Sequence, residues 1–126
     1  MKINIKATGM ELTAAISDYV QKKISHIEKY LHKDDIDVVV QVEVGKISHH
    51  HKAGHVFRAE VHVTGNGLDL YAVSDQEDLY AAIDIVKDEV VRELVQMKER
   101  RQALTRRGAG MMKSMMKGFR FFKRRP

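Results

Sequence analysis

Lys22, His26, Lys29 and Lys33 recur at spacings of 4, 3 and 4. At about 100° per residue, that spacing sets all four on one stripe of a helix. Lys23 flanks the stripe on the side nearer the core. A row of ammonium groups meets phosphate, and such a ridge holds an RNA backbone without reading its sequence. The same residues also suit an ordinary solvated face, and Lys29 and Lys33 suit a helix C-terminus. The spacing alone leaves both readings open.

A second cluster is Ser48-His49-His50-His51-Lys52-Ala53-Gly54-His55, with four imidazoles inside seven residues. Imidazole is a transition-metal ligand. No carboxylate or thiol lies inside the cluster, and adjacent histidines in a loop make a poor closed site. We therefore expect a solvated hairpin loop and no metal.

The C-terminal segment carries a third pattern. Met111, Met112, Met115, Met116, Phe119 and Phe122 fall on one arc of a helical wheel, and Lys113, Lys117, Arg120 and Arg124 on another. Such basic amphipathic stretches lie on membranes or in partner grooves. Gly108, Gly110 and Gly118 weaken it as a free helix, which fits a tail that orders only on binding. No nucleophile motif, glycine-rich phosphate loop or His-x-x-x-His helix occurs. The expectation is a binding protein, not an enzyme, with no cofactor.

The elements that position these groups follow from periodicity. Ile3, Ile5 and Ala7 alternate with Lys2, Asn4 and Lys6, which predicts a strand with one buried face. Thr13 is placed to cap a helix, with Leu12 as a staple. The stripe Ile16, Val20, Ile24, Ile27 and Leu31 predicts that this helix runs to about Lys33. Val38, Val40, Val42 and Val44 predict a second strand, and Phe57, Ala59, Val61 and Val63 a third. Thr64-Gly65-Asn66-Gly67 reads as a hairpin turn, after which Leu68, Leu70 and Ala72 return. Ser74 and Glu77 have capping-box spacing and are expected to open a second helix. Its stripe is Leu79, Ile83, Val86, Val90, Leu94 and Met97, with Asp84, Asp88 and Arg92 pointing outward.

The predicted class is α+β: a β-α-β-β-β-α two-layer sandwich, a four-stranded sheet with two helices on one face. The first crossover is expected to be right-handed if its strands are parallel neighbours.

The 126 residues suit one domain. Charge divides it. Residues 1–97 hold 11 Lys/Arg against 16 Asp/Glu, a balance of −5, whereas residues 98–126 hold 11 Lys/Arg against Glu99 alone, a balance of +10. The basic block, with Lys98, Arg100, Arg101, Arg106 and Arg107 at its start, is expected to seek phosphate on nucleic acid or anionic lipid. We expect a domain over residues 1–104 and a basic Met/Phe-rich tail over 105–126. No run approaches a membrane span, the first residues alternate unlike a signal peptide, and there is no cysteine. The expected compartment is the cytoplasm.

Glu11-Leu12-Thr13, Ile27-Glu28-Lys29-Tyr30 and Asp78-Leu79-Tyr80-Ala81-Ala82-Ile83-Asp84 resemble motifs of the ribosome hibernation-promoting factor family, which includes ribosome-associated inhibitor A. The resemblance covers about residues 1–104 and is to the family's short form. It implies the same β-α-β-β-β-α fold, which is similar to a double-stranded-RNA-binding domain. It implies binding to the small ribosomal subunit and its ribosomal RNA, in the channel used by messenger RNA and transfer RNA. Such binding competes with translation and keeps idle ribosomes protected. Lys23, Lys29 and Arg92 match basic family positions, and His26 stands where lysine is common. Glu89 and Gln96 stand where relatives carry lysine, a loss that Lys98, Arg100, Arg101 and the tail are expected to offset. The tail matches no part of the family, so a tail-driven membrane or protein-docking module is the competing expectation.

Overall fold

Alternating apolar residues produce four strands: β1 (Lys2–Thr8), β2 (Val39–Ile47), β3 (Val56–Gly65) and β4 (Leu68–Gln76). Two helices, α1 (Ala14–Ile24) and α2 (Leu79–Arg106), and a 3-10 segment (Ser25–Tyr30) complete the elements. The computed structural model describes residues 1–32, 37–47 and 56–106. The sheet order is β1-β2-β3-β4, with β1 and β2 parallel and the other pairs antiparallel.

Register explains the two layers. Ile3, Val40, Val63 and Leu70 form one row across the sheet; Ile5, Val42, Val61 and Ala72 form the next; Ala7, Val44, Ala59 and Ser74 form a third. Side chains alternate faces along each strand, so all three rows share a face. Val20, Ile24 and Ile27 from the first helical stretch and Ile83, Val86 and Val90 from α2 are buried in the core built on it. Each such side chain contributes roughly 1.5–3 kcal/mol relative to exposure.

Local signals set most boundaries. The Thr13 hydroxyl accepts the Ile16 amide at 3.2 Å and starts α1 as expected. Asn66 and Gly67 have φ of 51° and 81°, so the β3–β4 hairpin closes with a two-residue turn of primed type. Gly65, at φ 120°, backs onto the Asp37 carbonyl, where a Cβ would collide.

Three expectations need correction. The first helix does not run to Lys33 as a uniform α-helix. It tightens to 3-10 geometry at Ser25, whose hydroxyl donates to the Lys22 carbonyl at 3.0 Å. Ser74 does not cap α2. It lies inside β4 opposite Ala59, buried, and its hydroxyl accepts the Gln76 side-chain amide at 3.1 Å. Asp78 takes the capping role, accepting the Tyr80 amide at 3.3 Å. Asp84 does not point outward; it faces α1, where it meets Tyr19 and Lys23.

Candidate nucleic-acid interface

The seam between the helices is built from Tyr19, Lys23, Tyr80, Asp84 and Lys87. Tyr80, Asp84 and Lys87 follow at i, i+4 and i+7 on α2, so one flank of its core stripe presents all three toward α1. The Tyr19 hydroxyl donates to Asp84 Oδ1 at 2.8 Å. Lys23 Nζ lies 3.9 Å from the same oxygen and 5.5 Å from the Tyr19 ring centroid. Tyr19 meets Tyr80 edge to face, with centroids 4.6 Å apart. Burial, then the Asp84 hydrogen bond and charge, push the Tyr19 phenol up to about 12. Tyr19 therefore stays protonated and keeps donating at any physiological pH.

Beyond the seam, the 3-10 geometry reshapes the ridge. At three residues per turn, positions 26 and 29 come nearly into line. His26 is half-buried, whereas Lys22 and Lys29 are exposed. The His26 imidazole is held below its ordinary range, first by burial and then by Lys29, Lys87, Lys23 and Lys22 in that order. These four ammonium groups, drawn from the first helical stretch and from α2, therefore share one positive field. Lys87 Nζ is partly neutralised by Asp88 Oδ1 at 2.7 Å, and Lys23 by Asp84. Lys87 escaped the sequence reading because it sits next to Val86, where an ammonium looks like the edge of a core stripe. Its distance of seven residues from Tyr80 was the available signal.

The other expected residues are distributed differently. Arg92 lies about 140° around α2 from Lys87. With Glu89, Glu93 and Gln96 it lines a groove against Leu70, Tyr71 and Ala72 of β4. Lys98, Arg100, Arg101 and Arg106 are exposed on the last turns of α2, beyond Leu94, its last buried residue. Arg92 and these four are thus not part of the seam cluster. Lys33, the histidine loop, Arg107 and the rest of the tail lie outside the described residues.

The open sheet face is of mixed charge. Arg58 makes a two-pronged pair with Asp75, at 2.7 and 2.9 Å. The His62 Nε2 meets Asp69 at 2.7 Å, and the Tyr71 hydroxyl donates to Glu60 at 2.7 Å. This face sets the carboxylates Glu43, Glu60, Asp69 and Asp75 among Lys2, Lys6 and Arg58, whereas the helical face gathers Lys22, Lys23, Lys29 and Lys87. Among the described residues, no helix is long and apolar enough to cross a membrane.

Comparison with known proteins agrees with this geometry. Residues 3–102 match the family model described as sigma 54 modulation protein / S30EA ribosomal protein. The chain is 33% identical over 101 residues to the ribosome hibernation promoting factor of Azotobacter vinelandii, covering 79% of this chain and 85% of that one. The Escherichia coli K12 protein of the same name is 32% identical over 101 residues, covering 79% and 96%. The N-terminal domain of Thermus thermophilus Protein Y superposes with a TM-score of 0.63 at 30% identity, covering 77% of this chain and 99% of that one. A ribosomal subunit interface protein from Coxiella burnetii shares the fold, with a TM-score of 0.64 at 18% identity, covering 79% and 99%.

Proposed function

Because the chain belongs to the sigma 54 modulation protein / S30EA ribosomal protein family, we propose that it is a ribosome-binding hibernation factor, a translation inhibitor that works by occupancy and not by catalysis. The observation that carries this reading is the match over residues 3–102, and the grouping of Lys22, Lys23, Lys29 and Lys87 around His26 supports it. Cations from two packed helical stretches lie together on one surface and can neutralise phosphates. Binding gains from the counterions released by ribosomal RNA.

On this reading the target is the small subunit, in the channel that messenger RNA and transfer RNA use. A protein seated there excludes both and shields the RNA it covers. Residues 1–104 act as the ribosome-binding unit in the cytoplasm, with Arg92 and the cations from Lys98 to Arg107 as outlying phosphate contacts. The tail over 105–126 adds charge. Sedimentation of the protein with purified small subunits tests this. Occupancy should fall when message and transfer RNA saturate the subunit, and unchanged occupancy would exclude a shared channel.

A further inference from the structure

Tyr80 is an aromatic ring held at the edge of the cationic seam. It is 37% exposed, and its ring meets Tyr19 at an interplanar angle of 85°. In an edge-to-face pair, either Tyr80 offers its edge and Tyr19 covers neither of its faces, or it offers one face and the other stays free of Tyr19. In both cases aromatic surface remains available. The ring is also steadied, because Tyr19 is itself tied to Asp84 and lies beside Lys23. An exposed ring with its conformational freedom already restricted suits stacking on a flat partner.

The surrounding charges say which flat partner. Tyr71 is more exposed, at 58%, but it lies on the sheet face of mixed charge and its hydroxyl donates to Glu60. Tyr80 has Lys23 beside its partner ring and Lys87 two turns further along the same flank. The acids nearest in sequence, Glu77 and Asp78, lie behind Tyr80 at the start of α2. Asp84, one turn along the same flank, is engaged by the Tyr19 hydroxyl and Lys23. With Asp84 so occupied, the flank runs from acids at the Tyr80 end to Lys87 and the lysines around His26 at the other. That polarity orients a nucleotide, with its base toward Tyr80 and its phosphate toward the lysines.

We propose that Tyr80 is a stacking platform for one unpaired RNA base, with the adjoining phosphate held by Lys23 and Lys87. This rests on the RNA-binding reading above and adds to it a contact that is not electrostatic. Stacking tolerates any base, because every base has a π face.

The test compares full-length Tyr80→Leu and Tyr80→Phe proteins for small-subunit affinity across a salt series. Tyr80→Phe should bind as the wild type does. Tyr80→Leu should lose about tenfold or more, with its salt slope unchanged because no ion contact is removed. Lys87→Gln should instead lower the slope. Tyr80→Leu binding at wild-type affinity, while the wild type binds with a steep salt slope, overturns the platform and leaves the RNA reading standing. A wild type that does not bind small subunits overturns both. A second measurement covers a Tyr80→Leu protein that fails to fold. Wild-type protein is titrated with a ten-nucleotide oligoadenylate at low salt, and the Tyr80 ring protons are followed by NMR. An upfield shift of those protons is expected, and a titration that leaves them unmoved overturns the proposal.

Discussion

The Tyr19 hydroxyl reaches across from α1 to donate to Asp84 of α2, at 2.8 Å. That bond joins the two helices at the point where the cationic surface begins. Tyr19→Phe should lower stability by about 0.5–1.5 kcal/mol, the usual contribution of one hydrogen bond, and loosen the placement of Lys23. Chemical denaturation measures the first effect. The pH dependence has a definite sign. The folded-state phenol titrates at about 12 against an ordinary 10.0. Its contribution is therefore fully present below pH 10 and is lost as pH rises toward 12. Ultraviolet titration of the tyrosines should show a late component that disappears in Tyr19→Phe, beside the raised transition of Tyr71 that stays.

The cationic cluster yields the second prediction. Lys22→Glu with Lys29→Glu should change stability by no more than about 0.5 kcal/mol each, since both side chains are exposed. Ribosome affinity should fall strongly, together with the salt slope. Adding Lys87→Gln should lower both further. Unchanged affinity with normal thermal unfolding would show the ridge to be only a solvated face.

His26 gives a prediction of opposite sign. Its pKa is lowered by burial and by Lys29, Lys87, Lys23 and Lys22. A depressed histidine stabilises the fold above its unfolded value, and that contribution is lost as pH falls through the folded one. A bound phosphate would favour the charged imidazole, so RNA binding should take up a proton and tighten as pH falls from 8 toward 6. His26→Gln should flatten that dependence, and His26→Lys should bind with little pH dependence. Affinities equally pH-dependent in the wild type and His26→Gln would remove His26 from the interface.

These residues also show what could be read in advance. Strand faces were legible because alternation has period 2 and one face is buried, as in Ile3, Val40, Val63 and Leu70. The hairpin was legible because Asn66-Gly67 accepts positive φ. The switch to 3-10 at Ser25 was not, since Ile24 and Ile27 are three apart and satisfy either helix. Ser74 misled because a serine three residues before a glutamate signals a cap, yet the pleat of β4 carries it into the core. Asp84 was misplaced and Lys87 missed for one reason: a helix wheel shows distance from the core but not the neighbouring helix.

Gly65 provides a stability test away from the interface. Its φ of 120° and its close approach to the Asp37 carbonyl leave no room for a side chain. Gly65→Ala should destabilise by more than about 1 kcal/mol. Asn66→Gly should be nearly neutral, because glycine accepts the same φ of 51°. Equal melting temperatures for wild type and Gly65→Ala would refute the steric account.

The tail decides how the affinity is divided. Beyond Arg106 the chain carries seven cations, Arg107, Lys113, Lys117, Arg120, Lys123, Arg124 and Arg125, and no acid. The balance of −5 over residues 1–97 makes the body a weaker polyanion ligand than its helical face alone suggests. Much of the long-range attraction should then come from the tail. A chain stopped after Arg106 keeps the whole of α2 and every buried core residue among the described residues, so it should fold with the melting temperature of the full chain. Its ribosome affinity should drop, and its salt slope should fall by about one unit for each phosphate that the tail no longer neutralises. Lipid is the rival partner, because Met111, Met115, Phe119 and Phe122 share an arc that suits an interface. Sedimentation with anionic vesicles separates the two. If the shortened chain keeps full ribosome affinity and slope but loses vesicle binding that the full chain shows, the tail is a membrane anchor and not an RNA anchor.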